Sequence, residues 1–155
     1  MAGELLDRFL EAAPVPLGLP AAEVERRLGP ARRALEGDAR PTGFEYPERG
    51  VWIAIEGGEV SAISFLTGGE DEGGARFEGE LPGGLRVTDP PARVRELYGE
   101  PDRAEEVPLP RPPRTRLTLW FYALAAAPAT VTFAYRSTDP RRLERIVLAR
   151  RTDRS

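Results

Sequence analysis

A catalytic reading would begin with the hydroxyls of Ser61, Ser64 and Ser137, and it ends quickly, because nothing in the chain activates them. The sequence contains no His, Cys, Lys, Asn or Gln, so all 22 basic residues are Arg. Without His, the usual proton shuttle near neutral pH and the commonest nitrogen ligand for metals are both missing. Without Lys there is no Schiff base, no Ser–Lys dyad and no phosphate-loop lysine. Without Cys there are no disulfides, thiolate metal sites or thiol nucleophiles. Carboxylates remain, 25 in all. Two can suffice for glycosidase-type chemistry, yet no spacing singles out a pair. Glu70, Asp71 and Glu72 in the stretch GGEDEGG offer oxygen ligands, but not at the spacing of a calcium loop. The expectation is a protein that is not an enzyme and that carries no cofactor and no metal.

The aromatic residues are more informative. Val51, Ile53 and Ile55 alternate with Trp52 and Ala54, as in a strand with one apolar face. If the aliphatic residues face the core, Trp52 points the other way. The same assignment of Leu117, Leu119 and Phe121 to the core sends Thr118, Trp120 and Tyr122 outward. Tryptophan and tyrosine dominate binding hot spots, since they bury a large area and keep a polar handle. Trp52, Trp120, Tyr122 and Thr118 are therefore the candidate partner-binding residues, on the uncovered face of a sheet.

At 155 residues the chain fits one domain. With 41% hydrophobic and 30% charged residues, its composition is that of an ordinary globular protein. The net charge of −3 argues for neither nucleic acid nor membrane as partner. Charge is unevenly placed: from Glu45 to Glu80 nine acids face only Arg49 and Arg76, whereas from Arg136 onward seven arginines face Asp139, Glu144 and Asp153. Both stretches read as solvated surfaces. The N-terminal segment has Glu4 and Asp7 where a signal peptide has positive charge, so a cytoplasmic location is expected.

Helical spacing of Leu5, Leu6, Phe9, Leu10 and Ala13 predicts a helix over 3–13, stopped by Pro14 and Pro16. A second is predicted over 20–28, ended by Gly29-Pro30, with one more short turn at 31–36. Strands follow at Phe44–Tyr46, 51–55 and around Ile63 and Phe65, with Gly57-Gly58 forming a hairpin turn. A bridging strand over 75–81 and a helix with its apolar stripe at Val94, Leu97 and Tyr98 come next. The proline-rich 107–114 reads as a stiff loop, followed by strands at 118–122, 130–135 and 143–148 joined by a turn around Asp139-Pro140.

The halves align with each other. PAAEVERRLG at 20–29 lies over PPARVRELYG at 90–99 without a gap, so Val24 matches Val94 and Gly29 matches Gly99. Val60, Ile63 and Phe65 end the first half with the spacing that Leu143, Ile146 and Leu148 repeat in the second. This gives repeat 1 at about 14–66, an acidic Gly-rich connector at 67–76 and repeat 2 at about 77–149. The helix, its glycine-then-proline stop and the following antiparallel strands resemble the SmpA/OmlA (BamE-type) unit, and their tandem arrangement resembles the beta-lactamase inhibitory protein family. That resemblance implies an α+β fold, with two helix-plus-strand repeats forming one curved antiparallel sheet and helices packed on one face. It also implies a habit of binding another protein. The chain departs from both families in lacking cysteine and a recognisable signal peptide, which argues against a secreted inhibitor or an outer-membrane role. The expected function is non-catalytic protein binding, as an intracellular inhibitor or immunity-type protein that neutralises a partner. A small-ligand-binding or structural module and a carboxylate-dependent hydrolase are the alternatives.

Overall fold

A computed structural model describes residues 2–36, 40–67, 77, 81–86, 89–108, 116–136 and 142–151. The acidic cluster at 70–72, most of the expected strand at 75–81 and of the proline-rich loop, and the turn at 139–140 lie outside the described residues. The fold is α+β: one open antiparallel sheet of eight strands with a few short helices.

The expected N-terminal helix is present in two pieces, α1 (Ala2–Asp7) and α2 (Phe9–Ala12). The turn tightens at Arg8, whose N–H reaches the carbonyl three residues back on Leu5. Asp7 beside that turn is held from outside, its Oδ1 accepting the N–H groups of Ala125 and Ala126 at 3.1 and 3.0 Å. Helices α3 (Ala21–Leu28) and α4 (Pro91–Tyr98) match the expected spans. Each stops at a glycine with φ near +90° or +80°, Gly29 (91°) and Gly99 (83°), a conformation that strongly favours glycine.

The strands are β1 (Arg32–Glu36), β2 (Arg40–Tyr46), β3 (Val51–Glu56), β4 (Glu59–Leu66), β5 (Arg103–Pro108), β6 (Arg116–Ala123), β7 (Ala129–Arg136) and β8 (Arg142–Arg150). Their order in the sheet is β1-β2-β3-β4-β8-β7-β6-β5. Two four-stranded meanders thus meet where β4 pairs with β8. Gly57 and Gly58 make the predicted hairpin turn at φ 64° and 79°. Two strands were not expected. Where a helical turn was expected at 31–36, residues Arg32–Glu36 form the edge strand β1, and the other edge, β5, runs into the first residues of the proline-rich stretch.

One core lies between the helices and one face of the sheet. Register places Trp120, Phe133, Ile146, Phe65, Val51 and Tyr46 in a single row across six strands of that face. Phe9 of α2 is fully buried on this surface, its ring edge-on to Phe65 and Phe133 at 6.3 and 5.8 Å. Tyr98 of α4 stacks on Phe133 at 5.2 Å, and Val24 and Val94 anchor α3 and α4 with no exposed surface. Each such aliphatic side chain removed from water contributes about 1.5–3 kcal/mol.

Two tyrosines tie the sheet to the helix ends. The Tyr46 hydroxyl donates to the Gly29 carbonyl at 3.0 Å, and the Tyr122 hydroxyl donates to the Gly99 carbonyl at 2.9 Å. Burial pushes the Tyr122 phenol from 10.0 up to about 12, partly opposed by the nearby Arg95 guanidinium; burial also raises Tyr98 and Tyr135. Tyr122→Phe is expected to cost about 1 kcal/mol in urea unfolding, the loss of one part-buried hydrogen bond. The pH dependence follows in sign. Above pH 10 the unfolded phenol loses its proton while the folded one keeps it, so wild-type stability falls as pH rises from 10 towards 12. The variant must lose less over that window; identical slopes would show that Tyr122 is not held as described.

Candidate functional site

Among the described residues no helix packs on the opposite face of the sheet, and register decides which side chains it carries. On β3, Val51 and Ile53 are buried in the core and Trp52 points outward, as expected. On β6 the expectation is reversed. Trp120 and Tyr122 are 8% and 2% exposed and lie in the core, and Thr118 shares their side of the strand. Phe121, Leu119 and Leu117, assigned to the core from sequence, take the outer face.

The reversal has a physical cause. The run LTLWFYA is apolar at both parities, so alternation alone does not choose a face. Neighbours choose it. Trp120 opposes Phe133 and Tyr122 opposes Val131, both on the core side of β7. Arg95 of α4 lies 4.9 Å over the Trp120 ring, and Tyr122 reaches the end of the same helix through Gly99. Of the four residues proposed from sequence, only Trp52 lies on the open face.

Trp52 has a built seat. Its indole lies over Gly43 of β2, so close that a Cβ there would stand 2.9 Å from Cζ2 and 3.0 Å from Nε1. Glycine in a strand marks such a close approach. The indole N–H is buried and has no hydrogen-bond partner among the described residues. Beside the ring is an open recess of about 280 Å³, lined by Arg32, Glu45, Pro47, Val51, Leu66 and Arg145 as well as Trp52. Arg32 is already committed, its Nε 2.6 Å from Glu45 Oε2.

From Trp52 one register row crosses the whole outer face. It passes Ser64 on β4, Val147 on β8 and Thr132 on β7 to Phe121 on β6. Four strand spacings separate the two aromatic residues, about 19 Å. Alanines 54, 62 and 149 pair across β3, β4 and β8 in the next row, so the middle of the face carries short side chains between aromatic ends. Phe121 borders a second, wider recess of about 440 Å³ with Asp102, Arg103, Ala123, Thr130, Arg150 and Arg151.

No family model, curated protein or solved structure matches the chain. The site therefore rests on its own geometry. Among the described residues no three or more carboxylates are grouped so as to hold a metal, and no helix is long and apolar enough to cross a membrane. Sequence reasoning missed Phe121 because its strand was read in the opposite face, and missed Gly43 because a seat for an indole depends on a neighbouring strand.

Gly43→Ala tests the seat. In a Trp120→Phe background, where Trp52 is the sole tryptophan, the added methyl is expected to lift the indole towards solvent and shift its emission to longer wavelength. Overpacking of this kind destabilises by about 1–3 kcal/mol. Unchanged emission and stability would mean that the ring does not lie on Gly43.

Proposed function

We propose that this chain is a non-catalytic protein-binding module assembled from two copies of one helix-plus-strands unit, and that it acts as an intracellular inhibitor or immunity-type protein. The observation that carries the binding reading is the open face itself. Every helix residue in the core packs against one side of the sheet, while the other side presents Trp52, Phe121 and a row of short side chains. Broad, shallow surfaces with aromatic anchors suit a protein partner better than a small molecule, which normally needs an enclosing pocket.

Coincidences of position support the repetition. Tyr46 and Tyr122 make the same bond to the carbonyl of the glycine that ends a helix. The register slips in both halves at matching places, between Ala54 and Ile55 on β3 and between Ala134 and Tyr135 on β7. Ile63 pairs with Leu148 and Phe65 with Ile146, the pattern expected if a two-fold axis runs through the Ser64–Val147 pair. The intracellular inhibitor role is the further step, and it draws on the architectural resemblance together with the lack of cysteine.

The test is affinity capture from a lysate of the source organism with three baits: wild type, Trp52→Ala and the core variant Trp120→Phe. A partner captured in near-stoichiometric amount by wild type and Trp120→Phe, and reduced at least tenfold by a folded Trp52→Ala, is the expected result. A partner held equally by all three, or by none, would overturn the reading. The free indole N–H and the 280 Å³ recess beside it favour small-ligand binding as the second reading. In that case none of the baits captures a partner, and a small molecule raises the melting temperature of wild type but not of Trp52→Ala.

A further inference from the structure

The recess beside Phe121 differs in charge from the one beside Trp52. Three guanidinium groups line it, against the single carboxylate of Asp102. That carboxylate is occupied, its Oδ2 accepting the Ala123 N–H at 2.7 Å. The Arg103 guanidinium lies over the Phe121 ring, Cζ 4.2 Å from the centroid, with Nε 3.4 Å from Glu105 Oε1. A guanidinium on an aromatic face keeps its edge free for a carboxylate. Arg150 is braced from the facing hairpin, donating to Glu59 Oε1 at 2.9 Å and to the Glu56 carbonyl at 3.1 Å. Arg151 has its backbone N–H on the Pro128 carbonyl at 2.6 Å, and its guanidinium makes no ion pair or hydrogen bond among the described residues.

We infer that this recess is where an acidic segment of a protein partner docks, its carboxylates meeting Arg151 and Arg103 and an adjoining apolar side chain lying against Phe121. The inference rests on the protein-binding reading and names the chemistry of the partner. Charge complementarity selects the occupant. The arginines stand together at one end of a protein whose net charge is −3, and the carboxylates of Glu59 and Glu105 border Arg150 and Arg103. A nucleic acid strand, which needs a line of cations to follow its phosphates, would meet those carboxylates on leaving the recess. A short acidic stretch of polypeptide fits within it.

Fluorescence anisotropy with labelled poly-L-glutamate tests this, with labelled oligothymidylate as the competing probe. Two charge-reversed variants of equal net charge are compared: Arg103→Glu/Arg151→Glu in the recess, and Arg26→Glu/Arg93→Glu on the helices, each checked for fold by circular dichroism. Polyglutamate should bind wild type and the helix variant alike, and at least tenfold more weakly to the recess variant. Phe121→Leu, which keeps the apolar surface but not the aromatic face under Arg103, should weaken it by a smaller factor. Equal loss in both charge-reversed variants, no binding to wild type, or tighter binding of oligothymidylate lost in the recess variant would overturn the inference. Trp52→Ala leaves this recess intact. A Trp52-dependent partner in the capture experiment alongside a failed polyglutamate response would therefore remove the acidic docking site and leave the protein-binding reading standing.

Discussion

The pairing of β4 with β8 is the constraint on which the rest of the molecule depends. Five residue pairs, from Ala62 with Ala149 to Leu66 with Arg145, join two meanders that otherwise run in separate halves of the chain. Without that ladder each meander would end in an edge strand carrying fully buried residues, Ile63 and Phe65 on one side and Ile146 and Leu148 on the other. Such edges invite association with other chains. The true edges, β1 and β5, are of a different kind. β5 is exposed along its length, and both strands are rich in charge. Phe9 reinforces the seam from above, its ring against Phe65 of the first meander, Phe133 of the second and Tyr98 of α4. The short N-terminal helices thus act on both halves at once.

The seam also makes the outer face continuous. A single sheet carries one register, so Trp52 and Phe121 fall in the same row although they belong to different halves. The two ends of that row differ in chemistry: an indole over glycine beside a paired Arg32 and Glu45, and a phenyl ring under Arg103 with two further arginines near it. A partner spanning the face would meet an apolar anchor at each end, with three arginines and Asp102 at one and Arg32, Arg145 and Glu45 at the other. The specificity of such a surface lies in that asymmetry rather than in its area.

What the sequence made legible was local. The helices at 21–28 and 91–98 carry their own stops in Gly29 and Gly99, and the Gly57-Gly58 turn carries its own geometry. The edge strands were not legible, because RRALE and RAEEV are made, Val107 apart, of residues that favour helices when no neighbour intervenes. They become strands by pairing with β2 and β6. The face of β6 was hidden for a related reason: with apolar residues at both parities, its orientation is set by Phe133, Val131 and the end of α4, none of which is local to it. Trp52 was placed correctly because its strand alternates with small Ala54 and is flanked by a defined turn. The arginines at 150 and 151 were visible only as part of a basic tail; their convergence on Phe121 required the sheet.

Native-state hydrogen exchange measured residue by residue tests the claim of a single cooperative sheet most directly. The β4 and β8 amides that pair across the seam, around Ile63, Phe65, Ile146 and Leu148, should open with the same free energy as the interior strands β3 and β7 and as global unfolding. Faster exchange confined to β4 and β8, or two groups of amides opening at different free energies according to which half they occupy, would contradict it. In that case the two halves would be separate units, and the continuous outer face would not exist.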